Sequence, residues 1–401
     1  MKIADLRNNA GLWDRVFEYG YLLLAGLVTL MAFVDTTMMT MEQVGWMYSL
    51  IPWVRLLLLL FVGAKLAREP SWQAAPLLLA LLLCGALLRS WQRVERPYIL
   101  ELALLIAGAH GIDFKKIAAV WFGVCAAGLL LSMTLALTGV IENLVYLRQG
   151  RTRMSFGIIY PTDFSAHVFF LAAAWAWIRE RRITFWEIAL IAALGVFCLV
   201  FCEARNTVLC LFLLTAGLLY LKLRERGGRP YAMVRPVQWM LVLSGPILAA
   251  LMILLSALYR PEVGWMSWLD QFMSLRPSLG HQAFVRYSVS LFGQPVALNG
   301  LGGTANPTGE YFFLDSSYIN ILFCYGAVTL LFLLGAMLLS GLREKRLGAW
   351  EHLGILAVVV VHCALEHHMI EIAYNLFLLL PLAASGPRQD GGRHTAAMNR
   401  I

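Results

Sequence analysis

The sequence predicts an all-α, polytopic membrane protein with about twelve transmembrane helices in a single membrane domain, residues 1–401. Of the 401 residues, 60% are apolar and only 14% are charged, whereas a soluble domain carries about 25% charged residues. Apolar runs recur that are long enough for a bilayer crossing, which needs ~20 residues. These runs lack the alternation of polar and apolar residues that is typical of membrane β-barrel strands.

The apolar runs and the loops between them place twelve helices along the chain. The polar start of the sequence is followed by a run long enough to stay in the membrane, so we expect no removable signal peptide. Two connections are long, 141–161 and 259–315, and a connection as long as the second is expected to be functional. The predicted helices are 16–35, 46–66, 74–90, 97–110, 117–140, 162–178, 184–202, 206–222, 237–258, 316–340, 350–365 and 371–386.

The basic residues in the loops predict the orientation, because cytoplasmic loops are enriched in lysine and arginine. With a cytoplasmic N-terminus, most basic residues and all lysines fall on the cytoplasmic side, and the tail 387–401 is cytoplasmic too. The net charge of +8 is then a topogenic signal, and no nucleic-acid partner is expected. The basic residues on the other side are all arginines: Arg55, Arg89, Arg93, Arg96, Arg148, Arg151, Arg153, Arg205, Arg260, Arg276 and Arg286.

An outer face whose cations are all arginines suits phosphate, because the guanidinium group binds phosphate through two parallel hydrogen bonds. Contact with lipid headgroups is the alternative for several of them. Arg205, in "CEARNTVL", is predicted at a helix start, where free N–H groups and the helix dipole favour anions. An ion pair with Glu203 is the alternative there.

The loop 259–315 is predicted to contain two helices. Trp265, Trp268 and Phe272 recur at helical spacing and indicate an amphipathic helix at the membrane interface. Arg276 follows, and Pro277 suits the first turn of a second helix. Arg286 is ten residues beyond Arg276, so the two side chains are not expected on one stripe of that helix.

Acidic and histidine residues mark two further places on the outer side. Asp315 lies where the loop re-enters the membrane, and helix N-capping is the alternative to a chemical role. The segment "CALEHHMIEIAYN" brings together Glu366, His368 and their neighbours as a hydrogen-bonded polar cluster. We expect no metal and no cofactor here, because His367 and His368 would point apart on a helix and no HxxxH or HExxH spacing is present.

Four segments between residues 150 and 380 resemble the superfamily of bacterial O-antigen polymerases (Wzy) and O-antigen ligases. They are "RMSFGIIYPTDFSAHVFF", "EARNT", "LRPSLGHQAFVRYSVSLFGQP" and "LDSSYINILFCYG". The ligases of this superfamily carry a histidine at the position of Asp315, and polymerases commonly carry aspartate. In the first segment Tyr160 replaces the family histidine, and Thr162-Asp163 replaces its asparagine.

The resemblance implies a helical architecture of the GT-C type and a glycosyltransferase of the bacterial inner membrane with an extracytoplasmic active site. Its donor and acceptor would be glycans linked to undecaprenyl pyrophosphate, and a chain-length regulator and a flippase would be possible partners beside membrane lipids. We expect an inverting, metal-independent polymerase of O-antigen, capsule or exopolysaccharide repeat units. The catalytic candidates are Asp315 as general base, with Arg205 and Arg276 on the pyrophosphate. The substrate-binding candidates are Arg153, Arg286, Glu203, Asp163, Tyr318, Glu366 and His368.

Two alternatives to a polymerase stay open. A ligase would move the glycan to lipid A-core or another acceptor with the same fold and arginines. A transporter of lipid-linked glycans would predict ionisable groups near the membrane midplane, where the sequence places no clear carboxylate.

Overall fold

A computed structural model describes residues 3–68, 82–91, 98–148, 150–228, 233–304 and 309–384. These residues form a helical bundle with one two-stranded hairpin. The predicted tail 387–401 and the first part of the predicted helix 74–90 lie outside the described residues. The helices are α1 Ile3–Val34, α2 Met41–Tyr48, α3 Ile51–Arg68, α4 Leu82–Trp91, α5 Ile99–Gly108, α6 Phe114–Leu137, α7 Pro161–Arg179, α8 Phe185–Phe197, α9 Arg205–Arg226, α10 Arg235–Ala257, α11 Gly264–Phe272, α12 Arg276–Arg286, α13 Ser317–Asn320, α14 Ala327–Arg346 and α15 Trp350–Leu365.

Seven described stretches are long and apolar enough to cross a membrane, which agrees with a polytopic membrane protein. Three shorter apolar helices, α4, α5 and α15, accompany them. The prediction of twelve crossings and of their direction stays a prediction. The seven stretches are Leu12–Val34, Met41–Lys65, Phe114–Leu137, Phe185–Cys202, Arg205–Arg226, Arg235–Ala257 and Ala327–Arg346.

Helix α7 lies at the centre of the bundle and contacts α6, α9 and α15. Its buried side chains run along its whole length, which explains why it shows no polar face in the sequence. Tyr160 precedes it in extended conformation, and Pro161 occupies the first turn, where its missing N–H costs no hydrogen bond. Helix α7 therefore begins at Pro161, directly after the connection 141–161.

The predicted helix 371–386 is wrong over its described part. From Glu371 to Ala384 the chain forms turns and a single 3₁₀ turn, Leu376–Leu379. The side chain of Asn375 accepts a hydrogen bond from the N–H of Phe377 and donates one to the carbonyl of Met369. An asparagine that serves the backbone on both sides of itself competes with helix formation.

The segment 371–384 is buried, so its carbonyl groups need partners from elsewhere. Trp121 Nε1 donates to the carbonyl of Ile372 at 2.7 Å, and Arg343 Nη1 donates to those of Leu380 and Ala383. Irregular backbone at membrane depth is tolerated only inside protein or at a water-filled cavity. The enclosing helices provide that environment here.

The connection 141–161 contains an antiparallel hairpin that the sequence did not reveal. Strand β1, Val145–Arg148, pairs with β2, Arg151–Met154, in the register Tyr146 to Arg153. Gly150 makes the turn with φ +78°, a conformation that glycine adopts without strain. Beyond the hairpin, Ile158 pairs with Thr37 after α1, and this pairing holds the connection against the bundle.

The two ends of the bundle are chemically distinct. We call one end of the bundle the arginine end. At this end α1 and α15 end, α7 and α9 begin, and the loop 259–315 lies. At the opposite end, Ala384 pairs with Asp113 before α6, and Lys115 pairs with Glu180 at 2.7 Å. The segment 371–384 therefore runs through the bundle from one end to the other.

The loop 259–315 is attached to the bundle at Gly326, which follows a π turn, Ile321–Tyr325, and has φ +93°. The N–H groups of Ala327 and Val328 donate to the carbonyls of Ser290 and Leu291 at 2.9 and 3.1 Å. A Cβ atom at Gly326 would overlap the backbone at Leu291 and Gly293. Only glycine fits this close approach.

We expect Gly326→Ala to destabilise the protein strongly, because backbone strain of ~1–3 kcal/mol adds to an overlap of similar cost. Gly335→Ala in α14 is the matched control, since a Cβ there meets nothing within 4 Å and alanine in a helix gains ~0.5–1 kcal/mol. Thermal unfolding in detergent would measure both. Equal melting temperatures for the two variants would contradict this account of Gly326.

Candidate active site

A polar cavity of about 360 Å³ opens at the arginine end. It is formed where the hairpin, the starts of α9 and α12, the last part of the loop 259–315 and the end of α15 meet. The side chains with polar groups that line it are Tyr146, Arg153, Tyr160, Thr162, Glu203, Arg205, Asn206, Ser274, Arg276, Tyr311, Asp315 and Glu366.

Arg276 is a deeply buried cation of this cavity, with a side chain only 5% exposed. Its Nη2 lies 2.9 Å from Glu366 Oε1 and 3.7 Å from Asp315 Oδ2. Its Nε donates to the carbonyl of Leu365, and Nη1 donates to that of Met273 at 3.0 Å. The guanidinium is therefore fixed by α15, by the residues before α12 and by the start of α13.

Burial makes the ionised form of the two carboxyl groups beside Arg276 more costly than it is in water. Burial raises the pKa of Asp315 and of Glu366 above the usual range, although the positive charge of Arg276 works in the other direction. For Arg276 itself, burial lowers the pKa, but the charges of Glu366 and Asp315 outweigh it and raise the pKa. The raised pKa of Asp315 makes it a stronger base than an ordinary aspartate.

Arg205 is the accessible cation of the cavity. It is the first residue of α9, as predicted, and its side chain is 61% exposed. Its Nη2 bonds Glu203 Oε1 at 2.8 Å, while the Glu203 side chain is only 4% exposed. The predicted alternative, a pair with Glu203, is thus present, and the arginine side chain still lines the cavity.

Arg153 lies in β2 and is held by two contacts. Its Nε donates to the carbonyl of Cys202 at 3.0 Å, and Nη1 donates to the hydroxyl of Tyr160 at 3.3 Å. Cys202 ends a π turn, Cys198–Cys202, that continues α8, and such turns are frequent at functional sites. The hairpin and α8 thereby place this arginine in the cavity.

The backbone is strained next to both catalytic arginine candidates. Glu203 has φ +49° two residues before Arg205, and Ser274 and Leu275 have φ +53° and +66° just before Arg276. Residues other than glycine avoid this left-handed region, and each such residue costs ~1–3 kcal/mol. In both places the reversal starts a helix with the arginine as its first residue.

Three arginines and three carboxylates line the cavity, so their formal charges balance. Arg205 and Arg276 each contact a carboxylate, so an anionic ligand at either would exchange with that partner, whereas Arg153 is held by a carbonyl and a hydroxyl group. Asp315 is the carboxylate most easily displaced, because it lies 3.7 Å from Arg276 and its side chain is 20% exposed.

Four of the predicted substrate-binding residues do not line the cavity, and two of these, Arg286 and Tyr318, make their contacts elsewhere. Arg286, at the end of α12, pairs with Glu310 at 2.7 Å and covers the ring of Phe312, and it is not among the residues that line the cavity. Tyr318 is fully buried, and its hydroxyl donates to the carbonyl of Val360 at 3.0 Å. The structure gives Tyr318 a packing role between α13 and α15.

Asp163 and His368 lie behind the cavity and contact each other. His368 Nδ1 bonds Glu371 Oε2 at 3.0 Å, and its Nε2 lies 3.6 Å from Asp163 Oδ1, an ionic contact longer than a hydrogen bond. Burial lowers the pKa of His368, but the two carboxylates outweigh this effect and raise the pKa to about 10. His368 is therefore a cation at neutral pH.

His367 and His368 do not lie on an α-helix, so the expectation that their side chains point apart is wrong. Helix α15 ends at Leu365, and the two imidazole rings have centroids 4.1 Å apart. Ligand atoms of His367, His368 and Glu371 lie within 4.8 Å of one another, so this group could hold a metal ion. In the structure His368 instead bridges two carboxylates.

Sequence reasoning missed several residues of the cavity. Asn206, next to Arg205, donates to Glu366 Oε1 at 3.2 Å and links α9 to the end of α15. Tyr146 and Tyr311 line the cavity as well. Only Asn206 carried a usable signal, its place in the first turn of α9.

A larger cavity of about 480 Å³ lies between α9, α10 and α15. Its described lining is almost wholly apolar, with Glu351 as the one charged group. It offers few groups for chemistry, so the polar cavity at the arginine end is the candidate active site. Comparison of the chain with family models, with curated proteins and with solved structures finds no match.

We expect Glu366→Gln to destabilise the protein by ~3 kcal/mol or more, because it leaves the buried guanidinium of Arg276 without its nearest counter-charge. Glu310→Gln breaks the exposed pair with Arg286 and should cost only ~0–1 kcal/mol. Thermal unfolding of the two variants in detergent gives the comparison. A larger loss for Glu310→Gln would show that burial of the Arg276 pair has been misjudged.

We expect the imidazolium of His368 to persist to about pH 10. An ordinary histidine has a pKa near ~6.5 and is neutral at pH 8. A raised pKa keeps the proton at pH 8 and releases it only as the pH rises through about 10. ¹⁵N NMR of histidine-labelled protein should show at pH 8 an imidazolium signal that His368→Gln removes, and identical spectra would contradict the assignment.

Proposed function

We propose that the protein is a polysaccharide polymerase that joins glycan repeat units carried on undecaprenyl pyrophosphate. The observation that supports this most is the convergence of Arg153, Arg205 and Arg276 in one cavity with Asp315 beside them. Guanidinium groups suit a pyrophosphate leaving group, and a carboxylate suits the activation of a hydroxyl. The sequence resemblance to O-antigen polymerases points in the same direction.

In this proposal the arginine end faces the outside of the bacterial inner membrane. The described lysines at the ends of long helices support that orientation, since Lys115 and Lys222 lie at the opposite end and cytoplasmic loops are enriched in basic residues. Helix α11 would rest on the membrane surface, because Trp265, Trp268 and Phe272 are exposed and such side chains favour the interface.

The reaction is a single displacement at the anomeric carbon of the donor. The acceptor hydroxyl oxygen bonds to that carbon, the bond from the carbon to the pyrophosphate oxygen breaks, and its electron pair leaves with the lipid pyrophosphate. The hydroxyl proton passes to the carboxylate of Asp315. Attack opposite the leaving group inverts the anomeric configuration, and the arginines neutralise the leaving group without a metal ion.

The contacts of Arg276 give the steps an order. Arg205 is exposed and would meet the pyrophosphate first. A phosphate oxygen that replaces Asp315 beside Nη2 of Arg276 frees this carboxylate to accept a proton. Because burial raises the pKa of Asp315, the freed group is a better base than an aspartate in water.

The substrate for the experiment is an extract of lipid-linked oligosaccharides. These are expected to accumulate in a strain of the source organism from which the gene for this protein has been deleted. Purified protein incubated with this extract should give a ladder of glycans on lipid. Product formed only after addition of lipid A-core would support the ligase alternative, and an extract left unchanged would support a transporter.

We expect Arg205→Lys and Asp315→Asn each to lower the rate of chain extension about 10²–10³-fold, the usual loss when one stabilising group of a transition state is removed. Arg260→Lys is the matched control, since Arg260 is exposed and lies outside the cavity. Rates come from the length distribution over time. Unchanged rates in both cavity variants, with the fold intact, would rule out these roles.

A further inference from the structure

A second cavity, of about 220 Å³, lies next to the candidate active site. It is formed by the end of α1, the start of α5 and the segment that follows α15. At ~30 Å³ per water molecule, it has room for about seven waters, or for one sugar ring. The described residues that line it are Ala32, Asp35, Thr36, Tyr98, Ile99, Ile159, Asp163, Tyr325, His367, Ile370, Glu371, Ile372, Ala373 and Tyr374.

A thin wall separates the two cavities. Tyr160 lines the active-site cavity while its neighbour Ile159 lines the second, and Glu366 lines the first while its neighbour His367 lines the second. Along two separate stretches of chain, consecutive residues thus face opposite sides. A ligand in the second cavity would contact residues that are chain neighbours of Tyr160 and Glu366 in the active-site cavity.

The second cavity has the opposite chemistry to the first. Three carboxylates line it, those of Asp35, Asp163 and Glu371, and its described lining contains no lysine or arginine. Such a lining offers pyrophosphate no lysine or arginine to pair with. Ionised carboxylates accept hydrogen bonds from hydroxyl groups, and the isoleucine and alanine side chains between them offer apolar surface to C–H groups.

The carboxylates are held in place before any ligand binds. Tyr48 donates its hydroxyl to Asp35. His368 bonds Glu371 at 3.0 Å and lies 3.6 Å from Asp163. Preformed polar groups in a partly apolar cavity are typical of sites that orient a small ligand.

We propose that the second cavity binds a sugar of the acceptor glycan next to its terminal one, with Asp35 and Glu371 accepting hydrogen bonds from its hydroxyl groups. The terminal sugar then lies in the active-site cavity, where its hydroxyl reaches Asp315 and the donor's anomeric carbon. Donor and acceptor are thereby sorted by charge, the pyrophosphate to the arginines and the neutral sugar to the carboxylates. The role of the bound sugar as part of the acceptor rests on the proposed function, whereas the binding of a sugar in this cavity does not.

The test separates the two substrates. The donor is the lipid-linked oligosaccharide from the deletion strain, and the acceptor is the same repeat unit released by hydrolysis and recoupled to an octyl group, which cannot leave. The variants are Asp35→Asn and Glu371→Gln, and Glu262→Gln on the exposed part of the loop is the control. Two quantities are measured, the KM for each substrate and the affinity for the octyl acceptor alone by calorimetry.

We expect both variants to raise the acceptor KM and weaken acceptor binding about tenfold or more, as loss of a charge-assisted hydrogen bond does, with the donor KM unchanged. Equal effects on donor and acceptor, or none on either, would overturn the acceptor pocket while leaving the polymerase proposal intact. If the native protein transfers nothing but the variants still lose octyl-acceptor binding, the sugar pocket stands and the proposed reaction falls.

Discussion

A buried guanidinium group needs a counter-charge and hydrogen-bond acceptors close to it. At Arg276 this need determines how the helix ends and turns of the arginine end are arranged. The partners of Arg276 come from three separate parts of the chain: the Leu365 carbonyl and Glu366 at the end of α15, Asp315 before α13, and the Met273 carbonyl before α12. A separate turn or helix end positions the partners from each part of the chain. Loss of Glu366, the nearest counter-charge, removes most of the compensation for this buried charge, which is far more costly than the pair is stabilising.

The strained residues follow from that requirement. Leu275 and Glu203 adopt left-handed conformations so that an arginine can stand first in a helix and face the cavity. The cost is offset by the packing of α12 on α10 and of α9 on α8 and α15. Strain at a polar cavity that the surrounding bundle maintains is a common feature of functional sites.

Local signals in the sequence predicted what is local in the structure. Arg205 and Pro277 mark helix starts through interactions within one turn, and the tryptophan spacing of α11 reflects one exposed face. The meeting of Arg276 with Glu366 joins residues 90 positions apart, and no short pattern encodes that distance. The hairpin around Gly150 was missed because arginine-rich strands carry no apolar alternation.

The prediction of a helix over 371–386 failed for a physical reason. Apolar composition predicted a helix across 371–386, but the segment is apolar because it is enclosed, not because it faces lipid. Enclosed backbone can take its hydrogen bonds from other helices, as Ile372 does from Trp121, so composition alone does not fix its conformation.

The irregular segment 371–384 also bears on how the chain is made. It is synthesised after the helices whose side chains satisfy its backbone, since Trp121 and Arg343 precede it. During insertion the segment would find no partners in lipid except its own, as a transient helix. Its native form requires the helices that carry Trp121 and Arg343 to be in place, so we expect the core to close only after those helices have inserted.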